Sequence, residues 1–325
     1  MTRLILLISL LSLAWPALAA PSPEELPLFR QVAGGEEEYL VERKITIDRL
    51  ALEKGMRWQA LVRQNNKAKP FRLKQGMTVK IDNTHILPGA LSSGMIINLP
   101  ELNLYYFKDG VYQRRYALAV GKPSWPTPTG NFKIHDKRKN PTWNVPESIQ
   151  EEMEDQGLDV VEKVPPGPRN PLGKYYMATT AWGVGIHATN RPGSVGYFVS
   201  HGCIRMLPEE IAQLFPEIQI GTPVKIIYRP IKVALTDQGR IYLEAHPNIY
   251  GRKMNPLALV KELAQRHQLE DKIDWDQVSK ILKVRNGVAR DITKAPPAPK
   301  ATTTAAPTPQ EMRLFPLQEK DIKLE

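Results

Sequence analysis

Ile186-His187-Ala188-Thr189-Asn190-Arg191-Pro192-Gly193-Ser194-Val195-Gly196-Tyr197-Phe198-Val199-Ser200-His201-Gly202-Cys203-Ile204-Arg205-Met206 decides how the rest of this 325-residue chain is read. The stretch holds the single cysteine of the sequence, with histidines two and sixteen positions before it. A thiol reacts as thiolate and needs a base or a positive neighbour to become one. Strand residues at i and i+2 share a face, so His201 is expected to flank Cys203 without a direct Cys–His bond. His187 ends a strand-like run, Gly183-Val184-Gly185-Ile186, and a hairpin-like return through Pro192-Gly193 would bring it opposite Cys203. Gly202 lets the backbone approach a carbonyl closely, and amides near Gly202 and Cys203 are natural oxyanion donors. Two other readings stand beside this one. Cys203 could be an inert buried thiol, or His187, His201 and Cys203 could hold zinc, although no Cys-x-x-Cys or His-x-x-x-His partner stands nearby.

The surroundings favour a reactive thiol. Met1-Thr2-Arg3, the apolar run Leu4 to Leu13 and the small-x-small Ala17-Leu18-Ala19 read as a signal peptide over residues 1–19. That run is too short to span a bilayer, which takes about 20 residues. Export to the periplasm is the expected location. Exported chains tend to pair or avoid cysteines, and one cysteine excludes an intramolecular disulfide. The net charge of +10 comes from scattered Lys and Arg without aromatic interleaving, which argues against nucleic acid as a partner.

Three folded units are expected, with an α+β, mainly β architecture. Residues 39–88 read as a small βααβ unit. Tyr39-Leu40-Val41 is strand-like, two short helices carry Leu50, Ala51, Leu52 and Trp58, Leu61, Val62, and a turn leads into a strand ending at Ile81. Residues 93–229 are β-rich, with Lys108-Asp109-Gly110 as a hairpin turn and a Pro- and charge-rich loop from Lys137 to Leu172 expected to act as a lid or binding loop. Residues 230–293 read as a small α/β unit: a strand over Arg240–Glu244, a helix with Leu257, Val260, Leu263 and Ala264 on one face, and a second helix capped by Asp274. The Pro/Ala/Thr-rich tail, 294–325, is expected to be disordered.

The first unit resembles a LysM domain, although Arg43-Lys44-Ile45-Thr46 stands where such domains have Gly-Asp-Thr-Leu. The resemblance implies a glycan strand as partner. The histidine, spacer and Ser200-His201-Gly202-Cys203 are similar to the signature of the L,D-transpeptidases, the YkuD-fold family. Cys203-Ile204-Arg205-Met206, Thr127-Pro128-Thr129-Gly130, Asn140-Pro141-Thr142-Trp143 and Pro165 to Gly173 resemble its ErfK/YbiS branch. This likeness implies a curved β sandwich with the cysteine under the long loop, no metal and no cofactor. It implies a Cys203 nucleophile that attacks a peptidoglycan tetrapeptide stem, releases D-Ala, and passes the thioester to an amine of another stem or of an envelope lipoprotein. His187 would be the base, its ring oriented by the carbonyl of Ala188, where the branch usually has Gly. Ser200, His201 and Gly202 would shape the pocket and oxyanion hole. Arg205, Asn190 and Trp143 would bind substrate, with a structural salt bridge as the other reading of Arg205. A cysteine hydrolase on the same scaffold and a non-catalytic wall-binding protein are the alternatives.

Overall fold

The computed structural model describes residues 25–65 and 72–295. The leader and the tail beyond Ala295 lie outside them. The N-terminal unit has the strand–helix–helix–strand order: Glu36–Leu40, α1 (Ile47–Glu53), α2 (Trp58–Gln64) and Thr78–Asp82. Asn65 caps α2 and ties it to the closing strand. Its side-chain amide donates to Leu61 O (2.9 Å) and Lys80 O (2.8 Å), and its Oδ1 accepts from Lys80 N (2.9 Å). Leu50, Ala51, Ala60, Leu61, Val79 and Ile81 form the core of this unit.

The central sheet starts from one turn. Asp109 and Gly110 both take positive φ, 52° and 76°, the two-residue hairpin geometry that matches strand twist. Asn103–Lys108 and Val111–Gly121 therefore run antiparallel from the Lys108/Val111 pair. The sheet continues from Asn103–Lys108 through Gly94–Asn98, Pro223–Ile227, Gly130–Lys139, Tyr175–Thr179, Gly185–His187 and Ile204–Met206. Ile204–Met206 then pairs with Leu118 and Ala119, so the eleven-residue strand Val111–Gly121 closes the sheet on itself. Phe198–Ser200 joins in parallel beside the end of that strand. The result is a mainly β body that curves back on itself, in line with the family likeness.

The loop expected from Lys137 to Leu172 is more structured than its composition implied. Gly130–Lys139 extends to its start, Trp143–Asn144 pairs with Lys163–Val164, and α3 (Glu147–Asp155) lies between those two short strands. No residue of α3 is buried, so no apolar stripe announced it. On the core side, Ile186 and Ile204 are fully covered and pack with Met206, Ile211, Leu214 and Phe215, the last three from α4 (Pro208–Glu217). Each large apolar side chain buried there contributes roughly 1.5–3 kcal/mol. A one-residue slip of either strand would turn its isoleucine outward, so burial fixes the register.

The C-terminal unit stacks α5 (Pro256–Arg266) and α6 (Trp275–Val284) on the strands Ile231–Leu235 and Ile241–Ala245. Asp274 caps α6 as expected, accepting from Asp276 N and Gln277 N at 3.1 and 3.0 Å. Leu257, placed on the buried face from the sequence, is instead exposed. The segment before Tyr39 joins this unit: Leu28–Phe29 pairs in parallel with Val233 and Ala234. A fully buried Lys232 ties the bodies together. Its ammonium meets Glu101 at 2.8 Å and Glu244 at 3.1 Å, and it also donates to Ile86 O. A buried charge demands such partners.

Candidate active site

The strands Gly185–His187 and Ile204–Met206 are parallel neighbours, with Ile186 opposite Ile204 and His187 opposite Arg205. The hairpin-like return expected between them is therefore a parallel crossover through the 3-10 turn Pro192–Ser194 and the strand Phe198–Ser200. Side chains alternate across a strand. With Ile186 and Ile204 in the core, His187, Cys203 and Arg205 share the other face, and the register carried one residue back sets Gly185 against Cys203. Gly185 has no side chain, so the space directly opposite the thiol belongs to a neighbour.

That neighbour is Tyr176, which the sequence reading missed. Tyr176 is the cross-strand partner of His187 on the antiparallel strand Tyr175–Thr179, and its ring lies over Gly185. A Cβ at Gly185 would fall 2.4 Å from Tyr176 Cε2 and 2.8 Å from its hydroxyl. The Tyr176 and His187 rings are 6.4 Å apart. Burial, then the Cys203 charge, raises the Tyr176 pKa.

His187 is buried, and its Nδ1 lies 2.5 Å from Ala188 O. A carbonyl only accepts, so Nδ1 carries the proton and Nε2 keeps its lone pair. Burial, and then the Arg205 cation, lowers the imidazole pKa to about 4, against the opposing pull of Ala188 O. The Cys203 thiol donates to Gly183 O at 3.5 Å rather than to His187. Burial raises its pKa, while a backbone hydrogen bond from Gly185 and the Arg205 charge act in the opposite direction. These shifts favour a neutral thiol and a neutral imidazole at neutral pH, with the thiol hydrogen bonded to Gly183 O.

The loop before the cysteine is held from behind. Gly202 takes φ +103°, a conformation that favours glycine. Its carbonyl accepts from Thr127 Oγ1 at 2.8 Å, and that hydroxyl in turn accepts from Gly121 N at 2.9 Å. Because the peptide is planar and trans, anchoring the Gly202 carbonyl aims the Cys203 N–H the opposite way, as an oxyanion donor requires. Tyr250 of the C-terminal unit supports Thr127: its hydroxyl accepts from Thr127 N (3.2 Å) and donates to Gly121 O (2.8 Å). Thr127 entered the sequence reading only as part of the Thr127-Pro128-Thr129-Gly130 motif, and the folded loop gives it this role.

The remaining expected site residues separate. Ser200 is buried and spends its hydroxyl on the Cys203 carbonyl. His201 turns to the lid, where its Nε2 lies 2.5 Å from Glu152 of α3 and 3.3 Å from Lys122 Nζ, with the Trp125 ring edge-on at 5.2 Å. A zinc site of His187, His201 and Cys203 does not assemble. Among the described residues, the one cluster of such side chains at ligand spacing is Glu101, Glu244 and His246, into which Lys232 projects. Arg205 makes no ion pair among the described residues, and its Nε is buried without a partner. The structural salt bridge considered for it is thus not formed. Asn190 donates to Arg169 O (3.0 Å) beside the lid base, and Trp143 sits in the short lid hairpin opposite Val164. Trp182, in the turn before Gly183, is 98% exposed at the rim.

Residues 92–226 match the family model for YkuD, the L,D-transpeptidase catalytic domain. The chain is 29% identical over 294 residues to YcfS of Escherichia coli (strain K12), named a probable L,D-transpeptidase, covering 87% of this chain and 91% of that one. YbiS of the same strain, similarly named, is 29% identical over 253 residues, with 74% and 81% covered. YqjB of Bacillus subtilis (strain 168), which carries the same provisional family name, is 33% identical over 155 residues, with 46% of this chain and 74% of that one covered.

Proposed function

The chain belongs to the L,D-transpeptidase family, and on that premise we propose that Cys203 and His187 carry out acyl transfer on peptidoglycan stem peptides in the periplasm. The observation that supports the assignment is the parallel pairing of the His187 and Cys203 strands. It puts an imidazole whose Nδ1 is held by Ala188 O diagonal to the thiol, on the face where Tyr176 covers Gly185.

The chemistry follows from these groups. His187 Nε2 takes the thiol proton as Cys203 Sγ bonds to the carbonyl carbon of the third stem residue. Negative charge on the carbonyl oxygen is met by the Cys203 N–H. The C–N bond to the terminal D-Ala breaks, and His187 returns the proton to the departing amine, leaving a thioester. An acceptor amine then attacks that carbonyl and loses its proton to His187. The C–S bond breaks, and the thiol is restored. The acceptor is an amine of a second stem or a lysine of an envelope lipoprotein. Neither step needs a metal or cofactor.

Incubation with disaccharide tetrapeptides, with and without a lysine-bearing acceptor peptide, tests this reading. Cross-linked dimers or peptide conjugates are expected. Tripeptide alone would make the enzyme a hydrolase, and no turnover would remove the proposal. Intact-mass measurement after carbapenem treatment should show one adduct, lost in Cys203→Ser.

A further inference from the structure

The turn over residues 248–252 of the C-terminal unit reaches into the catalytic body and places the Tyr250 side chain there. Its ring stacks on Tyr228 at 5.1 Å and 14° and meets Phe198 edge-on at 5.7 Å. Its backbone N–H donates to the Tyr228 hydroxyl (2.8 Å), which donates in turn to Asn248 Oδ1 (2.8 Å). Asn248 also closes the turn, donating to Arg252 O (2.6 Å) and accepting from Arg252 N (3.2 Å). The ring is thus held on two sides, and the unit that carries it is fixed to the sheet by Lys232 on Glu101.

What the packing fixes is a hydroxyl. It bridges both ends of the 121–127 loop, donating to Gly121 O (2.8 Å) and accepting from Thr127 N (3.2 Å). Gly121 and Thr127 are both buried, and a buried donor or acceptor that loses its partner is costly. Gly121 has no room for a side chain: a Cβ would fall 2.2 Å from Trp125 O and 2.6 Å from Thr127 N. Glycine lets the loop fold back onto the strand end, and the phenol latches it there. Beyond the latch, Thr127 Oγ1 holds Gly202 O at 2.8 Å. One run of contacts therefore joins Tyr250 to the peptide whose N–H belongs to the nucleophile. Burial raises the Tyr250 pKa, which keeps the phenol protonated and able to donate.

We propose that Tyr250 is a positioning residue for acyl transfer: acting through Thr127, it holds the Gly202–Cys203 peptide so that the Cys203 N–H faces the substrate's carbonyl oxygen. The inference rests on the reaction proposed above and adds a requirement to it. The C-terminal unit, which supplies neither the thiol nor the imidazole, sets the direction of the oxyanion donor. Charge grows on the carbonyl oxygen only as the C–S bond forms, so a misdirected N–H slows acylation more than it weakens binding. A role in packing alone would rest on the ring, and the hydroxyl would be dispensable.

Tyr250→Phe in the full chain keeps the ring and removes the hydroxyl, and two reactions at Cys203 then separate the roles. Acylation by a carbapenem, followed by stopped flow, passes through an oxyanion. Alkylation by iodoacetamide is a displacement at carbon and builds none. The saturating acylation rate is expected to fall by roughly ten- to a hundredfold, with the half-saturating concentration little changed and alkylation at its wild-type rate. Thr127→Val should show the same split, and Thr127→Ser, which keeps a hydroxyl, should restore acylation. The double variant Tyr250→Phe/Thr127→Val should lose no more than Thr127→Val alone, because the two residues act in series. An unchanged acylation rate in Tyr250→Phe, acylation and alkylation falling together, or losses that multiply in the double variant would overturn the proposal. Carbapenem adduct formation on wild-type Cys203 reads the reaction itself, so failure of the positioning role and failure of the catalytic assignment remain distinct.

Discussion

His187 stands opposite Arg205 across two parallel strands, and one guanidinium thereby acts on both members of the thiol–imidazole pair. Its charge lowers the pKa of Cys203, which favours thiolate, and lowers that of His187, which opposes imidazolium. The two effects pull proton transfer in opposite directions. Burial is the larger cause of both shifts, which favours a neutral pair over a preformed ion pair at neutral pH and suits the general-base role proposed for His187.

The pH dependence follows. His187 keeps Nε2 unprotonated until pH falls to about 4, so acylation should persist well below the ordinary histidine range and fail as the ring protonates near that value. In Arg205→Met, the ring pKa should rise above 4 without reaching 6.5, because burial is the larger cause and remains. The Cys203 pKa should rise further. NMR titration of the imidazole and the pH profile of iodoacetamide alkylation measure the two shifts. A His187 pKa unmoved by the substitution would contradict the electrostatic account.

Tyr176 and Gly185 act as a unit. The ring and hydroxyl occupy the volume a Gly185 side chain would need, and the Cys203 charge contributes to the raised Tyr176 pKa. Tyr176→Phe keeps the ring and removes the hydroxyl. If that hydroxyl stabilises charge during acylation, its loss costs about 1.5–3 kcal/mol, roughly ten- to a hundredfold in acylation rate. Melting temperature should stay nearly unchanged. Gly185→Ala should displace the ring, lowering both the acylation rate and the melting temperature. Stopped-flow acylation with a carbapenem separates the two variants, and wild-type rates in Tyr176→Phe would leave the hydroxyl without a catalytic part.

Glu152 tethers α3 to His201 and Lys122, and the helix buries no side chain of its own. The His201 hydrogen bond, above all, lowers the Glu152 pKa. Glu152→Ala should therefore loosen the lid without affecting the sheet. Amide hydrogen exchange over 147–164 should accelerate while exchange at Ile186 and Ile204 stays slow. Uniform exchange in variant and wild type would mean that the lid is held by its hairpin alone.

What was legible in the sequence was local. Asp109-Gly110 specifies its own turn, Asp274 its own helix cap, and Gly183-Val184-Gly185-Ile186 the strand-like run that ends at His187. Pairing between strands was not legible. The spacer between His187 and Cys203 fits a hairpin or a crossover equally well, and the burial of both isoleucines in a closed sheet selects the parallel arrangement. Tyr176 was missed because its place over Gly185 depends on the pairing of two adjacent strands, and the role of Thr127 because its partner Gly202 lies 75 residues away. Helix α3 escaped notice because none of its residues is buried. The docking of Leu28 against Val233 depends on a surface built some 200 residues later.

Glu210 supplies a stability test independent of catalysis. It sits in the first turn of α4, 4% exposed, with Oε2 lacking a hydrogen-bond partner. Burial raises its pKa from 4.5 to about 7, against the opposing pull of Arg114 and Arg49. A carboxyl whose folded pKa exceeds its unfolded value is uncharged in the fold at low pH and must be ionised while buried at high pH. Its penalty is absent below pH 4.5, grows through the interval, and is complete above pH 7. At 1.36 kcal/mol per unit, the full penalty is about 3 kcal/mol. Glu210→Gln removes the ionisation, so the variant should be more stable than wild type at pH 8 by up to about 3 kcal/mol. The gain should shrink steadily and vanish by pH 4.5. Denaturant melts of both proteins across that range measure it, and a stability difference independent of pH would show that the buried carboxyl does not titrate in the fold as described.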